Sequence, residues 1–223
     1  MLPRSDVQAG FAPDLNTLAE LIRSLDDAAL ARPTRCEGWT VSDVAAHVAG
    51  SMADVVAGRL EGAGSAEWTA RQVEERRGRP ANELADEVAG SAKVADDLLA
   101  AFDDEAWAGP APAGVTGTLG DGVLALWYDA YLHADDIRAA VGLASVRGAG
   151  LRASVVHVAD VLTTREWGPA TLALDGLEEI TIGGGSKERR ITGDPLAFVL
   201  AATGRAEPTT VGLGPDVNIY APV

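Results

Sequence analysis

The sequence predicts an α+β protein of two domains, a four-helix bundle at residues 1–145 and a small α+β domain at residues 150–223. Three observations lead to this prediction. Apolar residues recur at helical spacing in four long segments of the first part, as in a bundle. After Gly142 the pattern changes, and short segments in which apolar and polar residues alternate, as in β-strands, follow one further helix. The stretch between the two parts is rich in small residues, which is typical of a linker.

The first domain is predicted to contain four amphipathic helices. They are expected at residues 14–25 with Asp14 as the N-cap, from Thr40 to about Leu60, from about Ala81 to Phe102, and from about Asp121 to Val141. Thr40 and Asp43 have the spacing of a capping box, which satisfies free N–H groups at a helix start. Gly142 suits a C-terminal stop because glycine adopts a left-handed conformation readily. A short polar helix is expected at residues 67–77.

The second domain is predicted to mix helices with short strands. Its elements are a helix at 151–165, strands at 170–174, 179–182 and 188–192, a turn at 183–187, a last helix to about Thr203, and a further strand between Thr209 and Tyr220. Asp175-Gly176 supplies the turn between the first two strands. Asp194 and Pro195 match the N-cap and first-position preferences of the last helix.

Composition and charge exclude several classes of protein. A hydrophobic fraction of 47% is sufficient for a packed core. The net charge of −15 argues against nucleic acid or an anionic membrane as a partner. No apolar run approaches the roughly 18 residues of a membrane span, and the first residues form no signal peptide. The single cysteine, Cys36, suits a reducing compartment, so we expect a cytoplasmic protein.

Two of the three histidines stand where one metal ion could reach both. Asp129 precedes His133 by four residues, so the two side chains leave neighbouring turns of one helix face, about 6 Å apart along the axis. With His47 from a facing helix they form a ligand set that Zn²⁺ and other first-row divalent ions accept. The alternative is a helix-stabilising pair beside a core histidine. His157 has no partner at ligand spacing and is interpreted as structural.

Two motifs resemble signatures of a known family. Residues 36–47, CEGWTVSDVAAH, look like the C-P-G-W-T-V-x-D-V-x-x-H signature of the mycothiol-dependent maleylpyruvate isomerase family, which belongs to the DinB-like metal-binding helical bundles. Residues 129–136, DAYLHADD, are similar to its second signature, in which an acidic residue precedes histidine and aspartate before a helix-ending glycine. The second half, chiefly residues 191–205, resembles the family's sterol-carrier-protein-like C-terminal domain.

The resemblance implies that His47, Asp129 and His133 bind a divalent metal, with Zn²⁺ expected. Asp129 stands where the family has glutamate, so the ion must lie nearer the helix or be reached through a water. Glu37 replaces the usual proline of the first signature, which changes the loop. Asp136 is expected either to accept the free N–H of His133 or to form a salt bridge with a nearby cation.

Two further residues of the first signature, Cys36 and Trp39, also have expected roles. Cys36 could be a fourth ligand or a nucleophile, but its place in a loop favours a buried small residue. Trp39 is expected to pack the loop against the bundle.

The resemblance also implies a function. The family uses mycothiol, a sugar-linked cysteine of actinobacteria, as a low-molecular-weight thiol cosubstrate. A metal-bound thiolate that adds to a small electrophilic substrate gives isomerisation if sulfur leaves again, or an S-conjugate if it stays. An anionic substrate would need a cation, and Arg205 is the candidate catalytic residue, although a cation also suits a helix end. The alternative is a non-catalytic binding protein for a small apolar ligand, with a structural or vestigial metal site.

Overall fold

The structure is a computed structural model, and it describes residues 2–112, 116–183 and 189–221. The chain divides into two compact units, one from Leu2 to Gly150 and one from Leu151 onward. The first unit is helical and the second adds a small sheet, which confirms the predicted α+β class. Within the described residues, no helix has both the length and the apolar character needed to cross a membrane.

The first unit is a helical bundle. Its helices are α1 (Arg4–Arg23), α2 (Asp27–Leu30), α3 (Val41–Val56), α4 (Ala66–Arg76), α5 (Ala81–Ala101), α6 (Asp104–Ala108) and α7 (Leu119–Val141). The four long helices pack in the cyclic order α1, α5, α3, α7, so that each contacts two neighbours. Leu15, Ile22, Leu84 and Leu132 are among the fully buried side chains of this unit. The predicted four-helix bundle is therefore present.

Capping boxes begin both helices that carry the candidate ligands. At α3, Thr40 Oγ1 accepts the Asp43 N–H at 3.3 Å, and Asp43 Oδ2 accepts the Thr40 N–H at 2.9 Å. Thr118 and Asp121 form the same pair of bonds at α7. Each box satisfies two N–H groups that would otherwise be free and sets where its helix starts. The first box is the predicted one, whereas α7 begins slightly before the predicted start at Asp121.

The predicted start of α1 is wrong, because the helix begins at Arg4 and Pro13 lies inside it. Proline in a helix interior removes a backbone hydrogen bond and costs about 3 kcal/mol. Val7 and Phe11 are buried and extend the apolar stripe toward the N-terminus, which offsets that cost. Asp14 is consequently not an N-cap. Its carboxylate accepts a hydrogen bond from Trp127 Nε1 of α7 at 2.8 Å.

The short helices α2 and α6 were not predicted, because one helical turn is too short to show periodicity. The Asp103 side chain caps α6 by accepting the Ala106 N–H at 2.8 Å. Trp107 is buried against α7 at Gly120, where an added Cβ would lie 2.7 Å from the indole nitrogen. Glycine at position 120 therefore allows α6 to close over the end of α7.

The second unit carries the predicted hairpin and a parallel neighbour. Its elements are α8 (Ala149–Thr164), which begins at the end of the first unit, then β1 (Ala170–Leu174), β2 (Ile180–Ile182), β3 (Arg189–Gly193) and α9 (Pro195–Ala202). The central strand β1 pairs antiparallel with β2 and parallel with β3. The predicted start of the third strand at Glu188, and residues 184–187 of the predicted turn, lie outside the described residues.

The strand predicted for the tail is wrong, because the chain there forms two 3₁₀ turns, Pro208–Val211 and Pro215–Val217. Each turn starts with a proline, which has no N–H to donate to a strand ladder. Arg165, the residue after α8, donates to the backbone oxygens of Asn218 at 3.2 Å and Ala221 at 2.7 Å. These bonds attach the tail to the second unit without a strand.

Gly10 of α1 packs directly against Trp127 of α7. A Cβ at residue 10 would lie 2.3 Å from Trp127 Cη2, so the buried ring would have to move. We expect Gly10→Ala to lower the free energy of unfolding by about 1–3 kcal/mol, because overpacking outweighs the better helix propensity of alanine. Urea unfolding followed by circular dichroism measures the change.

Gly90 of α5 provides the matched control. It is exposed, and apart from its chain neighbours and the backbone of its own helix, no atom of the described residues lies within 4 Å of an added Cβ. We expect Gly90→Ala to raise the free energy of unfolding by about 0.5–1 kcal/mol, because alanine is the better helix former. Equal effects at the two positions would contradict the close packing described for Gly10.

Candidate metal centre

Three side chains from α3 and α7 converge in the first unit. Asp129 Oδ2 lies 3.4 Å from His47 Nε2, and Asp129 Oδ1 lies 3.4 Å from His133 Nε2. The donor atoms of the three residues all lie within 4.8 Å of one another. The fold thus brings together the three residues that the sequence suggests as metal ligands.

The centre is closed around the histidines and more open at the carboxylate. His47 and His133 are 6% and 8% exposed, whereas the Asp129 side chain is 31% exposed. The Trp39 ring packs on both imidazoles, with centroid distances of 5.3 Å to His47 and 6.3 Å to His133. Asp129 is therefore the most exposed of the three candidate ligands, while the tryptophan covers part of the histidine pair.

A buried polar chain holds His47 from α4. His47 Nδ1 lies 3.0 Å from Gln72 Oε1, and Gln72 Nε2 donates to Asp54 Oδ2 at 3.0 Å. Because a carboxylate can only accept here, the amide NH₂ faces Asp54 and the amide oxygen faces the histidine. Gln72 therefore accepts a hydrogen bond from Nδ1 of His47, and this leaves Nε2 as the nitrogen that can donate to Asp129 or, once deprotonated, bind a metal ion.

Asp54 ends this chain as a charged group. It is fully buried, and its oxygens accept hydrogen bonds from Arg59 and Arg71 as well as from Gln72. Burial opposes the charge, but these three donors hold the pKa of Asp54 below its ordinary value. A fixed carboxylate at this position keeps Gln72 in the orientation that His47 requires.

A second polar chain holds His133 and runs through α7 to the loop before α3. His133 Nδ1 lies 3.2 Å from Asp136 Oδ2, and Arg35 Nε donates to Asp136 Oδ1 at 3.0 Å. Asp136 is fully buried, whereas Arg35 is half-buried and also donates to Asp135. Asp136 therefore makes both of the contacts considered from the sequence, one with the histidine and one with a cation.

Asp129 and His133 stabilise opposite charges on each other. Burial raises the pKa of Asp129, but the charge of His133 and hydrogen bonds from both histidines outweigh it and hold that pKa well below its ordinary value. Burial lowers the pKa of His133, but the charge and hydrogen bond of Asp129, with further bonds from Asp136 and Cys36, raise it well above its ordinary value. The pair is therefore a carboxylate facing an imidazolium.

This donor set fits a divalent metal ion. Each histidine has Nδ1 engaged by a buried polar partner and Nε2 directed toward the same carboxylate. Partners of this kind orient imidazole ligands in metalloproteins. Two imidazoles and one carboxylate also leave a position for water or another small ligand, as in catalytic zinc sites. Metal binding itself stays a prediction.

Two other residues singled out in the sequence lie in the second unit. Arg205 is half-buried in the turn that follows α9, where its backbone N–H donates to the Leu200 oxygen at 2.8 Å. His157 is half-buried on α8. Neither belongs to the clusters of potential metal ligands found within the described residues. The catalytic role expected for Arg205 stays a prediction.

Sequence reasoning missed Gln72, Asp54 and Arg35. Asp54 lies seven residues after His47, two turns along the same helix, and that spacing places both on one face. A buried acidic residue could have been suspected there. Gln72 lies in a short polar helix and Arg35 in a loop, and neither position has a pattern that distinguishes it from a solvent-exposed residue.

Known proteins resemble this chain in both sequence and fold. The family model for the mycothiol maleylpyruvate isomerase N-terminal domain matches residues 11–138, more than half of the chain. A crystal structure of the mycothiol-dependent maleylpyruvate isomerase is similar, with a TM-score of 0.66 at 18% identity over 96% of this chain and 95% of that chain. A histidine-to-alanine mutant of a mycothiol-dependent maleylpyruvate isomerase gives a TM-score of 0.65. No curated protein sequence matches the chain.

Gln72→Ala tests the polar chain behind His47. Without the amide oxygen, the imidazole loses the partner that fixes its proton on Nδ1, and we expect metal affinity to fall by about 10–100-fold. Competition for Zn²⁺ against a coloured chelator measures the affinity. Glu74→Ala, on the exposed face of the same helix, is the control and should bind as the wild type does. Unchanged affinity in Gln72→Ala would contradict the orienting role.

The raised pKa of His133 predicts that protons compete with the metal. The imidazolium must lose its proton before Nε2 can bind an ion, so apparent affinity should weaken as the pH falls below the pKa of His133. The expected slope is about tenfold per pH unit for each proton displaced. Chelator competition across the range from about pH 6 to about pH 8 measures it. An affinity that does not change with pH would contradict the protonated centre.

Proposed function

Because this chain belongs to the mycothiol-dependent maleylpyruvate isomerase family, we propose that it is a metal-dependent enzyme that uses mycothiol on a small electrophilic substrate. The observation that carries the proposal is the convergence of His47, Asp129 and His133 from two helices at a spacing that one ion can bridge. The family assignment supports the thiol.

Nε2 of His47, Nε2 of His133 and a carboxylate oxygen of Asp129 would hold the metal, with Zn²⁺ as the expected ion. A divalent ion at this position supplies positive charge that stabilises a thiolate at neutral pH. The two buried polar chains, through Gln72 and Asp136, keep both Nδ1 atoms engaged, so that both Nε2 atoms point toward the centre. The exposed part of Asp129 marks the side from which a thiol and its substrate approach.

The proposal covers two outcomes of one reaction. Sulfur of the ionised thiol adds to an electrophilic alkene carbon, which turns the double bond into a single bond that can rotate. Loss of sulfur after rotation restores the double bond and gives an isomer, whereas protonation of the resulting carbanion from solvent, with sulfur retained, gives an S-conjugate. We propose that Arg205 is the cation for an anionic substrate, and we place the enzyme in the reducing cytoplasm, where a free thiol cosubstrate persists.

Thiol binding to the metal-loaded protein tests this function. Calorimetric titration of the Zn²⁺ protein with mycothiol, in buffers of different ionisation enthalpy, measures both affinity and proton release. We expect release of about one proton per thiol bound, because the bound thiol ionises. The metal-free protein and His47→Ala should bind mycothiol at least about tenfold more weakly.

His157→Ala is the matched control, since it removes the histidine of α8 and leaves the centre intact. It should bind the metal and the thiol as the wild type does. A wild-type protein that retains Zn²⁺ but shows neither thiol binding nor proton release would contradict the proposal. That result would favour a binding protein in which the metal is structural.

A further inference from the structure

A second set of atoms that could bind a metal ion lies around Nδ1 of His133, the ring nitrogen that the first centre does not use. Cys36 Sγ lies 3.3 Å from Asp136 Oδ2 and 3.8 Å from His133 Nδ1. Asp136 Oδ2 lies 3.2 Å from His133 Nδ1. These three donor atoms all lie within 4.8 Å of one another, as do the donor atoms of the first centre. The two sets share His133 alone, and each uses a different ring nitrogen.

The spacing of this second set matches a tetrahedral ion. Zinc binds sulfur at about 2.3 Å and nitrogen or oxygen at about 2.0–2.2 Å, so donors around one tetrahedral ion lie about 3.4–3.6 Å apart. The separations of 3.2, 3.3 and 3.8 Å among Asp136, Cys36 and His133 lie within a few tenths of an ångström of that range. Small side-chain shifts would suffice to bind an ion.

The surroundings provide charge and access. Arg35 binds Oδ1 of Asp136 at 3.0 Å, so Oδ2 is the oxygen that faces the cysteine and the histidine. Asp136 is fully buried, which strengthens its attraction for a cation. Cys36 is only half-buried in the loop before α3, so this end of the set lies nearer to solvent than the fully buried Asp136. A thiolate, an imidazole and a carboxylate together favour thiophilic divalent ions over Mg²⁺ or Ca²⁺.

We propose that Cys36 Sγ, His133 Nδ1 and Asp136 Oδ2 form a second metal site, for thiophilic divalent ions such as Zn²⁺ and Co²⁺. Binding releases the thiol proton and the Nδ1 proton to solvent, and bonds to the ion replace the hydrogen bonds among the three side chains. The proposal does not rest on the thiol cosubstrate or on any reaction, because the metal alone is the ligand.

Cobalt distinguishes the two sites because the first centre contains no sulfur. Cys36 is the single cysteine of the chain, so a thiolate-to-cobalt charge-transfer band in thiol-free buffer has one possible protein source. We expect this near-ultraviolet band in the wild type at saturating Co²⁺, and we expect Zn²⁺ to remove it by displacement. The measurement needs no substitution, so a variant that fails to fold does not decide it.

Variants then assign the band. His47→Ala, which disables the first centre, should still bind about one Co²⁺ per chain with the band present. Adding Cys36→Ser to that variant should remove the band and weaken Co²⁺ binding by at least about tenfold, with circular dichroism confirming the fold. Absence of the band in the wild type at saturating Co²⁺ would overturn the proposal. A band that survives Cys36→Ser would also overturn it.

Discussion

The contact between α3 and α7 is the constraint on which the candidate centre depends. One helix supplies His47, and the other supplies Asp129 and His133. A slip of either helix by one residue would turn its ligand about 100° away from the partner helix. The capping boxes at the starts of both helices therefore do more than satisfy free N–H groups, because they set the register that makes the histidines face one carboxylate.

Two buried chains of polar side chains then hold the imidazole rings of His47 and His133 in fixed orientations. Gln72, Asp54 and Asp136 are fully buried, and burying such groups without partners would cost several kcal/mol. Each has hydrogen-bond partners, and the carboxylate that ends each chain, Asp54 or Asp136, pairs with arginine side chains that reach the surface. Apolar residues could fill the same space, so the chains are better explained by orientation of the imidazoles than by stability alone.

Local patterns in the sequence predict the parts of the site that depend on helical spacing. Asp129 and His133 are four residues apart, and the α3 capping box is formed by residues three apart. The partners of the histidines could not be predicted in this way, because Gln72 and Arg35 reach the site only through tertiary packing. The same limit explains α1, where burial of Phe11 outweighs the proline that indicates a break.

The most direct measurement is a crystal structure of the protein grown with excess zinc at neutral pH, with anomalous data collected at the zinc absorption edge. We expect a zinc peak about 2.0–2.2 Å from Nε2 of His47, Nε2 of His133 and a carboxylate oxygen of Asp129. A map with no anomalous peak between these three side chains would contradict it.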